Sequence, residues 1–230
     1  IFDRRNCGAS DVVIDGADSE YEIWADDVHE LLRQLGALPV FVGGSSSGCR
    51  TSLLFALRHP EAVKGLLLWR VTGGRFACDR LAQEYYGQFI EAAKQGGMAA
   101  VCGMEHWKER IEARPQNRDA LMKMSPERFI AVMSHWREYF VKGADLPVIG
   151  ASEEELKSIK VPTCIVPGND NTHGLQTGEH LGRLLQKSEV HVLFPKHYDE
   201  ALSPREEWDE KAGEMAALFA DFMKRVGSLV

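Results

Sequence analysis

Leu38-Pro39-Val40-Phe41-Val42-Gly43-Gly44-Ser45-Ser46-Ser47-Gly48 is the stretch that decides the fold. The apolar run Leu38 to Val42 reads as a short buried parallel strand, because a strand covered on both faces loses the apolar–polar alternation. Gly43 and Gly44 break the run. Ser47 to His59 then reads as a helix, stopped by Pro60. Between strand and helix, Gly44-Ser45-Ser46-Ser47-Gly48 forms a G-x-S-x-G pattern in the one context that gives so short a pattern meaning. Glycines flank the turn because side chains there would collide with neighbouring backbone. The turn lifts Ser46 to the carboxyl end of the sheet, beside a helix N-terminus whose dipole favours negative charge. Ser46 is the candidate nucleophile, and the backbone N–H of Ser47 is a candidate donor to an oxyanion.

The pattern extends outward on both sides. Upstream, Ser19-Glu20-Tyr21-Glu22 is a capping box. It opens a helix that carries Trp24, Val28, Leu31, Leu32 and Leu35 on one stripe and ends at Gly36. Downstream, Val63 to Trp69 is a second buried strand. From Gly74 to Lys157 strand-like runs disappear. Ser125-Pro126 starts a helix there, with Phe129, Met133, Trp136 and Phe140 at helical spacing. Strands return at Val161–Val166 and Glu189–Phe194, with a helix from Leu175 to Gln186 between them. Ser203-Pro204-Arg205-Glu206 reads as a second capping box, opening a last helix with Trp208, Met215, Phe219 and Phe222 on one face. Alternating strands and helices predict an α/β fold with an open, mainly parallel sheet and helices on both faces. Residues 1–73 and 158–230 form its core, and 74–157 an inserted helical cap over Ser46.

Composition excludes several function classes. The chain has 230 residues, 44% hydrophobic and 27% charged, with a formal charge of −7. No basic stripe suits nucleic acid, and the acidic balance does not favour anionic membranes. No run of about 18 apolar residues is present to span a bilayer. The cysteines, Cys7, Cys49, Cys78, Cys102 and Cys164, are odd in number and lack a C-x-x-C pair, so they read as thiols of a reducing, cytoplasmic compartment. His191 and His197 match no metal-ligand spacing, and no phosphate-binding glycine motif occurs. The expected partner is a small-molecule substrate, with no cofactor and no metal, and a homodimer is the expected assembly.

Asp3-Arg4-Arg5-Asn6-Cys7-Gly8-Ala9-Ser10 resembles the D-x-R-G-x-G-x-S segment that precedes the serine turn in many α/β-hydrolases. Val161-Pro162-Thr163 followed by Gly168-Asn169-Asp170 resembles the acid strand and turn of the same superfamily. The resemblance covers essentially the whole chain, the helical insertion matching in position and character. It implies a serine, then an acid, then a histidine in chain order. Asp170 is the one carboxylate in the loop Pro167–Gly174 and is the expected acid, with a turn-forming role as its alternative. Pro195-Lys196-His197-Tyr198-Asp199 supplies a loop after the last strand, and His197 is the expected base. His173, three residues from Asp170, competes for that role and reads as a loop residue. Arg70 ends the second strand at the active-site edge. It is a candidate for a substrate carboxylate or carbonyl, or else is tied down by a neighbouring Asp or Glu. Trp69 and Trp136 are candidate substrate contacts beside it.

The resulting expectation is acyl transfer to water on a small or medium ester or lactone. The same resemblance admits carbon–carbon bond hydrolysis of a diketone, cofactor-free peroxidation, or a non-catalytic binding receptor. It also implies a second oxyanion donor from a loop upstream of Asp3. The natural protein is therefore expected to carry roughly 50 further N-terminal residues, enough for a few strands and their connections.

Overall fold

The computed structural model describes residues 1–228. The chain forms two compact units: Ile1–Trp24 with Asp79–Val141, and Ala25–Cys78 with the chain from Lys142 on. The first 24 residues thus group with the helical segment, and the residues after Val141 with the sheet, where the sequence suggests breaks at 73 and 158.

The elements in chain order are α1 (Glu20–Gln34), β1 (Val40–Ser45), α2 (Ser47–Arg58), β2 (Val63–Trp69), α3 (Arg75–Ala82), α4 (Gln88–Cys102), α5 (Glu105–Ala113), α6 (Gln116–Met122), α7 (Pro126–Lys142), α8 (Glu153–Ser158), β3 (Thr163–Val166), α9 (Leu175–Leu184), β4 (Ser188–Val190), α10 (Arg205–Glu210) and α11 (Ala212–Gly227). The capping box at α1 is formed: Glu22 N–H donates to Ser19 Oγ at 3.3 Å, and Ser19 N–H to Glu22 Oε2 at 2.9 Å. It satisfies two donors that a helix start leaves open.

The unit with the sheet holds four parallel strands in the order β1-β2-β3-β4. Side chains alternate between the faces of a strand. Leu67 and Trp69 of β2 and Cys164 and Val166 of β3 share a cluster with Trp208 of α10 and Phe219, Phe222 and Val226 of α11. On the other face Leu66, Leu68 and Ile165 are fully buried, while Leu67 and Trp69 are partly buried. Burial of both sets is why these strands read as unbroken apolar runs. β1 is longer than its apolar run and takes in Gly43, Gly44 and Ser45. The last strand is shorter than expected, Ser188–Val190, with one further bond from His191 N–H to the carbonyl of Ile165 at 2.9 Å.

The other unit is helical around Trp107, Phe129, Trp136 and Phe140, all buried. Its N-terminal segment is held by polar links. Asn117 accepts from Val12 N–H at 2.9 Å and donates to the carbonyl of Ser10 at 3.0 Å. Arg110 Nε donates to the carbonyl of Asn6 at 2.6 Å, and Trp136 Nε1 to that of Asp18 at 3.1 Å. Glu20 is buried between Asn6 and Tyr86, and its burial raises its pKa against the pull of those hydrogen bonds. Among the described residues no helix is long and apolar enough to cross a membrane.

Candidate active site

Ser46 stands between β1 and α2 with φ 52° and ψ −109°, a backbone state that a residue with a Cβ rarely adopts. Its carbonyl accepts from Cys49 N–H at 3.1 Å and Arg50 N–H at 3.3 Å, which locks it into the first turn of α2. The turn is feasible because position 44 carries no side chain. A Cβ on Gly44 would lie 2.5 Å from the Gly48 carbonyl carbon. Gly44→Ala is therefore expected to destabilise the fold by about 3 kcal/mol through overpacking, lowering the melting temperature by roughly 6–12 °C. An unchanged melt would mean that the turn opens freely.

β3 delivers the other residues. The loop after Val166 curls back on itself, because Asp170 Oδ1 accepts from Thr172 N–H at 3.1 Å and from His173 N–H at 2.8 Å. This Asx-type turn returns the His173 ring to the carboxylate three residues before it. Gly168 makes room, since a Cβ there would meet the His173 carbonyl oxygen at 2.2 Å. His173 Nδ1 lies 2.9 Å from Asp170 Oδ1, and His173 Nε2 lies 2.9 Å from Ser46 Oγ. With Nδ1–H donating to the carboxylate, Nε2 is left to accept the Ser46 hydroxyl proton. Thr72 Oγ1 stands 3.4 Å from Ser46 Oγ.

The histidine that the structure brings to Ser46 is thus His173, and the expectation for His197 is corrected. The loop that carries His197 is fixed by its own backbone: Lys196 offers its carbonyl to Asn169 Nδ2 at 3.1 Å, and Tyr198 N–H donates to the Asn169 carbonyl at 2.8 Å. With both neighbours holding Asn169 through their backbones, the side chain between them is exposed.

Both oxygens of Asp170 are saturated, and the residue is fully buried. Oδ2 accepts from Ser203 N–H at 2.9 Å, Ser203 Oγ at 3.1 Å and Arg70 Nη2 at 3.1 Å. Ser203, expected to cap α10, is turned to this carboxylate and also accepts from Trp208 Nε1 at 3.0 Å. The demand of a buried charge overrides the cap, and Pro204 takes the N-cap position without a side-chain bond. Burial alone would raise the Asp170 pKa, but the bonds and charge of His173, with the N–H of Ser203, hold it well below the usual carboxylate range. Burial lowers the pKa of His173; Asp170 opposes this, while Arg70 and Arg50 reinforce it.

Each of the three residues expected to contact substrate has a partner within its own unit. Arg70 is tied to Asp170, the alternative open to it from sequence. Trp69 turns to the α11 face, its ring 5.6 Å from that of Phe219. Trp136 is buried in the helical unit against Tyr86, with ring centroids 6.3 Å apart. Ser47 opens α2 next to Ser46.

Among the described residues two other clusters offer ligand-type atoms within 4.8 Å of one another: His29, His59 and Glu61, and Cys164, Glu189 and His191. The His29 and His59 rings are stacked 3.9 Å apart at 4°, so their in-plane lone pairs lie in separate parallel planes and cannot both point at one ion. Both Glu189 oxygens are held by Arg225, at 2.6 and 3.1 Å. A cation there would face a guanidinium.

The sequence pattern of the family described as alpha/beta hydrolase fold matches residues 1–69. Over 232 aligned residues the chain is 25% identical to a proline iminopeptidase of Neisseria gonorrhoeae, an alignment that spans 86% of this chain and 73% of that protein. Among solved structures it is similar to an esterase from Exiguobacterium antarcticum, with a TM-score of 0.55, 21% identity and coverage of 95% of this chain and 78% of that one. It is also similar to the enol-lactonase from Burkholderia xenovorans LB400, with a TM-score of 0.56, 17% identity and coverage of 96% and 79%.

Proposed function

We propose, from the premise that the chain belongs by fold to the α/β-hydrolase superfamily, that it is a serine hydrolase acting on a small or medium carboxylic ester or lactone. The observation that carries this reading is the unbroken series Ser46 Oγ, His173 Nε2, His173 Nδ1, Asp170 Oδ1, with 2.9 Å at each link between residues. Ser46 is the nucleophile, His173 the general base and Asp170 the acid that orients the imidazole. The likeness to proteins named as an esterase and an enol-lactonase supports an acyl substrate.

The steps follow from these positions. His173 Nε2 takes the Ser46 hydroxyl proton as Oγ bonds to the substrate carbonyl carbon, and the carbonyl electron pair moves onto oxygen. Ser47 N–H, at the head of α2, donates to that oxyanion. Collapse expels the alcohol, which leaves with the proton held on His173. Water then gives a proton to His173 and attacks the acyl carbon, and the acid departs as the proton returns to Ser46 Oγ. Asp170 stays ionised throughout and stabilises the imidazolium.

A fluorophosphonate probe tests the nucleophile directly. Ser46 is expected to be the labelled residue by peptide mass spectrometry, and labelling is expected to disappear in Ser46→Ala along with hydrolysis of p-nitrophenyl esters and lactones. Absence of both labelling and hydrolysis in the wild-type protein would defeat the reading and favour a silent binding pocket.

A further inference from the structure

We propose that Arg70 is a positioning residue of this site: it anchors the Asp170 carboxylate through Oδ2, so that Oδ1 alone is presented to His173, and it adds a permanent positive charge behind the pair. The inference rests on the serine-hydrolase reading. Its basis is geometric. Arg70 follows β2 directly, and Asp170 follows β3, the neighbouring strand, by a short loop. Nη2 reaches Oδ2 at 3.1 Å, and the guanidinium lies 5.0 Å from the centroid of the Trp208 ring. Trp208 in turn donates to Ser203 Oγ, and Ser203 donates to Oδ2 through both N–H and Oγ. Arg70, Trp208 and Ser203 thus form a closed bracket around one oxygen.

Two costs accompany this placement. Arg70 has φ 54°, the left-handed region that glycine favours, and its backbone N–H is pinned to the Val166 carbonyl at 3.1 Å. Among the described residues its buried Nε has no hydrogen-bond partner, a donor whose desolvation is uncompensated. Strain of this kind persists where the surroundings fix it, and such residues cluster at functional sites. A partner that served stability alone would be expected to satisfy Nε as well.

The chemical consequence concerns the shared carboxylate. In a serine–histidine–aspartate series the aspartate charge stabilises the imidazolium that forms during reaction. Here a fixed cation shares that charge. The groups that face His173 are Asp170 in its own loop, Arg70 at the end of β2 and Arg50 on α2. Both arginines oppose protonation of the ring, so His173 remains the neutral base to lower pH than an isolated histidine would.

The test uses Arg70→Gln and Arg70→Lys in the full chain, with pH profiles of kcat/KM. Arg70→Gln is expected to lower kcat by about tenfold with little change in KM, because a misplaced catalytic group costs rate rather than binding. Its acid limb should move to higher pH than that of the wild type. Arg70→Lys restores the charge but not the directed fork, so its acid limb should return to the wild-type position while kcat stays reduced. An acid limb unmoved in Arg70→Gln, or a wild-type kcat in Arg70→Lys, overturns the proposal; the second criterion holds even if Arg70→Gln does not fold. Failure of the hydrolase reading is separate, since it would leave Ser46→Ala as active as the wild type.

Discussion

His173→Ala is expected to lower kcat for ester hydrolysis by about 10⁴-fold or more, while His197→Ala stays within about twofold of the wild type. The contrast follows from position. His173 Nε2 is 2.9 Å from Ser46 Oγ and its Nδ1 is 2.9 Å from Asp170, whereas His197 is exposed on a loop fixed by the backbone of its neighbours. Without the base, the Ser46 hydroxyl keeps its proton and the nucleophile is weak. Fluorophosphonate labelling should slow in parallel with kcat. The loss of turnover should come without loss of the fold, because the Asx turn at Asp170 is made by backbone N–H groups that alanine retains. The reverse pattern, an inert His197→Ala and an active His173→Ala, would restore the last loop as the source of the base. The wild-type acid limb supplies a further check. Burial and the two arginines depress the His173 pKa below its ordinary 6.5, so the ring is protonated, and kcat/KM falls, only at pH values below that.

Much of the frame was legible because buried parallel strands and amphipathic helices leave strong patterns. Val63–Trp69 matches the expected strand residue for residue, and the turn at Ser46 is marked by Gly43 and Gly44, where a Cβ would run into backbone. Asp170 was legible by elimination, as the one carboxylate in its loop. His173 was not, since three residues of separation suggest a surface turn, and only the two N–H bonds to Oδ1 show how tightly that turn closes. The Asn-Asp-x-x-His spacing was the available signal: an aspartate that nucleates an Asx turn faces the side chain three positions on. Ser203 misled for a related reason. Its local capping pattern is sound, but a buried charge 33 residues away makes the stronger demand on its hydroxyl. Trp69 and Arg70 are adjacent in sequence yet go to different places, one to the face of α11 and one to Asp170. Which long-range partner each one finds cannot be read from a pattern of neighbours.

Asp170→Asn is expected to be nearly as damaging to turnover as loss of the base, and damaging to the fold as well. An asparagine offers one oxygen and one NH₂, but six donors now converge on the carboxylate: Thr172 N, His173 N and His173 Nδ1 at Oδ1, and Ser203 N, Ser203 Oγ and Arg70 Nη2 at Oδ2. Whichever way the amide turns, its NH₂ faces donors. If it faces His173, the ring reverses its tautomer and Nε2 can no longer accept from Ser46. The corresponding change in a protease triad costs about 10⁴ in kcat, and a loss of that order is expected here. In either orientation the amide is neutral, so Arg70 loses its counter-charge at the fully buried position 170. Breaking such a pair costs about 3–5 kcal/mol, which for a chain of this length is roughly 6–20 °C in melting temperature. The stability loss should depend on pH in a defined direction. The wild-type carboxylate has a pKa below its ordinary 3.8, so its stabilisation is fully present above that value and fades as pH falls through the lower, folded-state value. The two proteins should therefore differ most near neutral pH and converge in strong acid. A gap in melting temperature that stayed constant from neutral to acid pH would show that the loss is steric and not electrostatic, and would remove the charge of Asp170 from the account of what holds this site together.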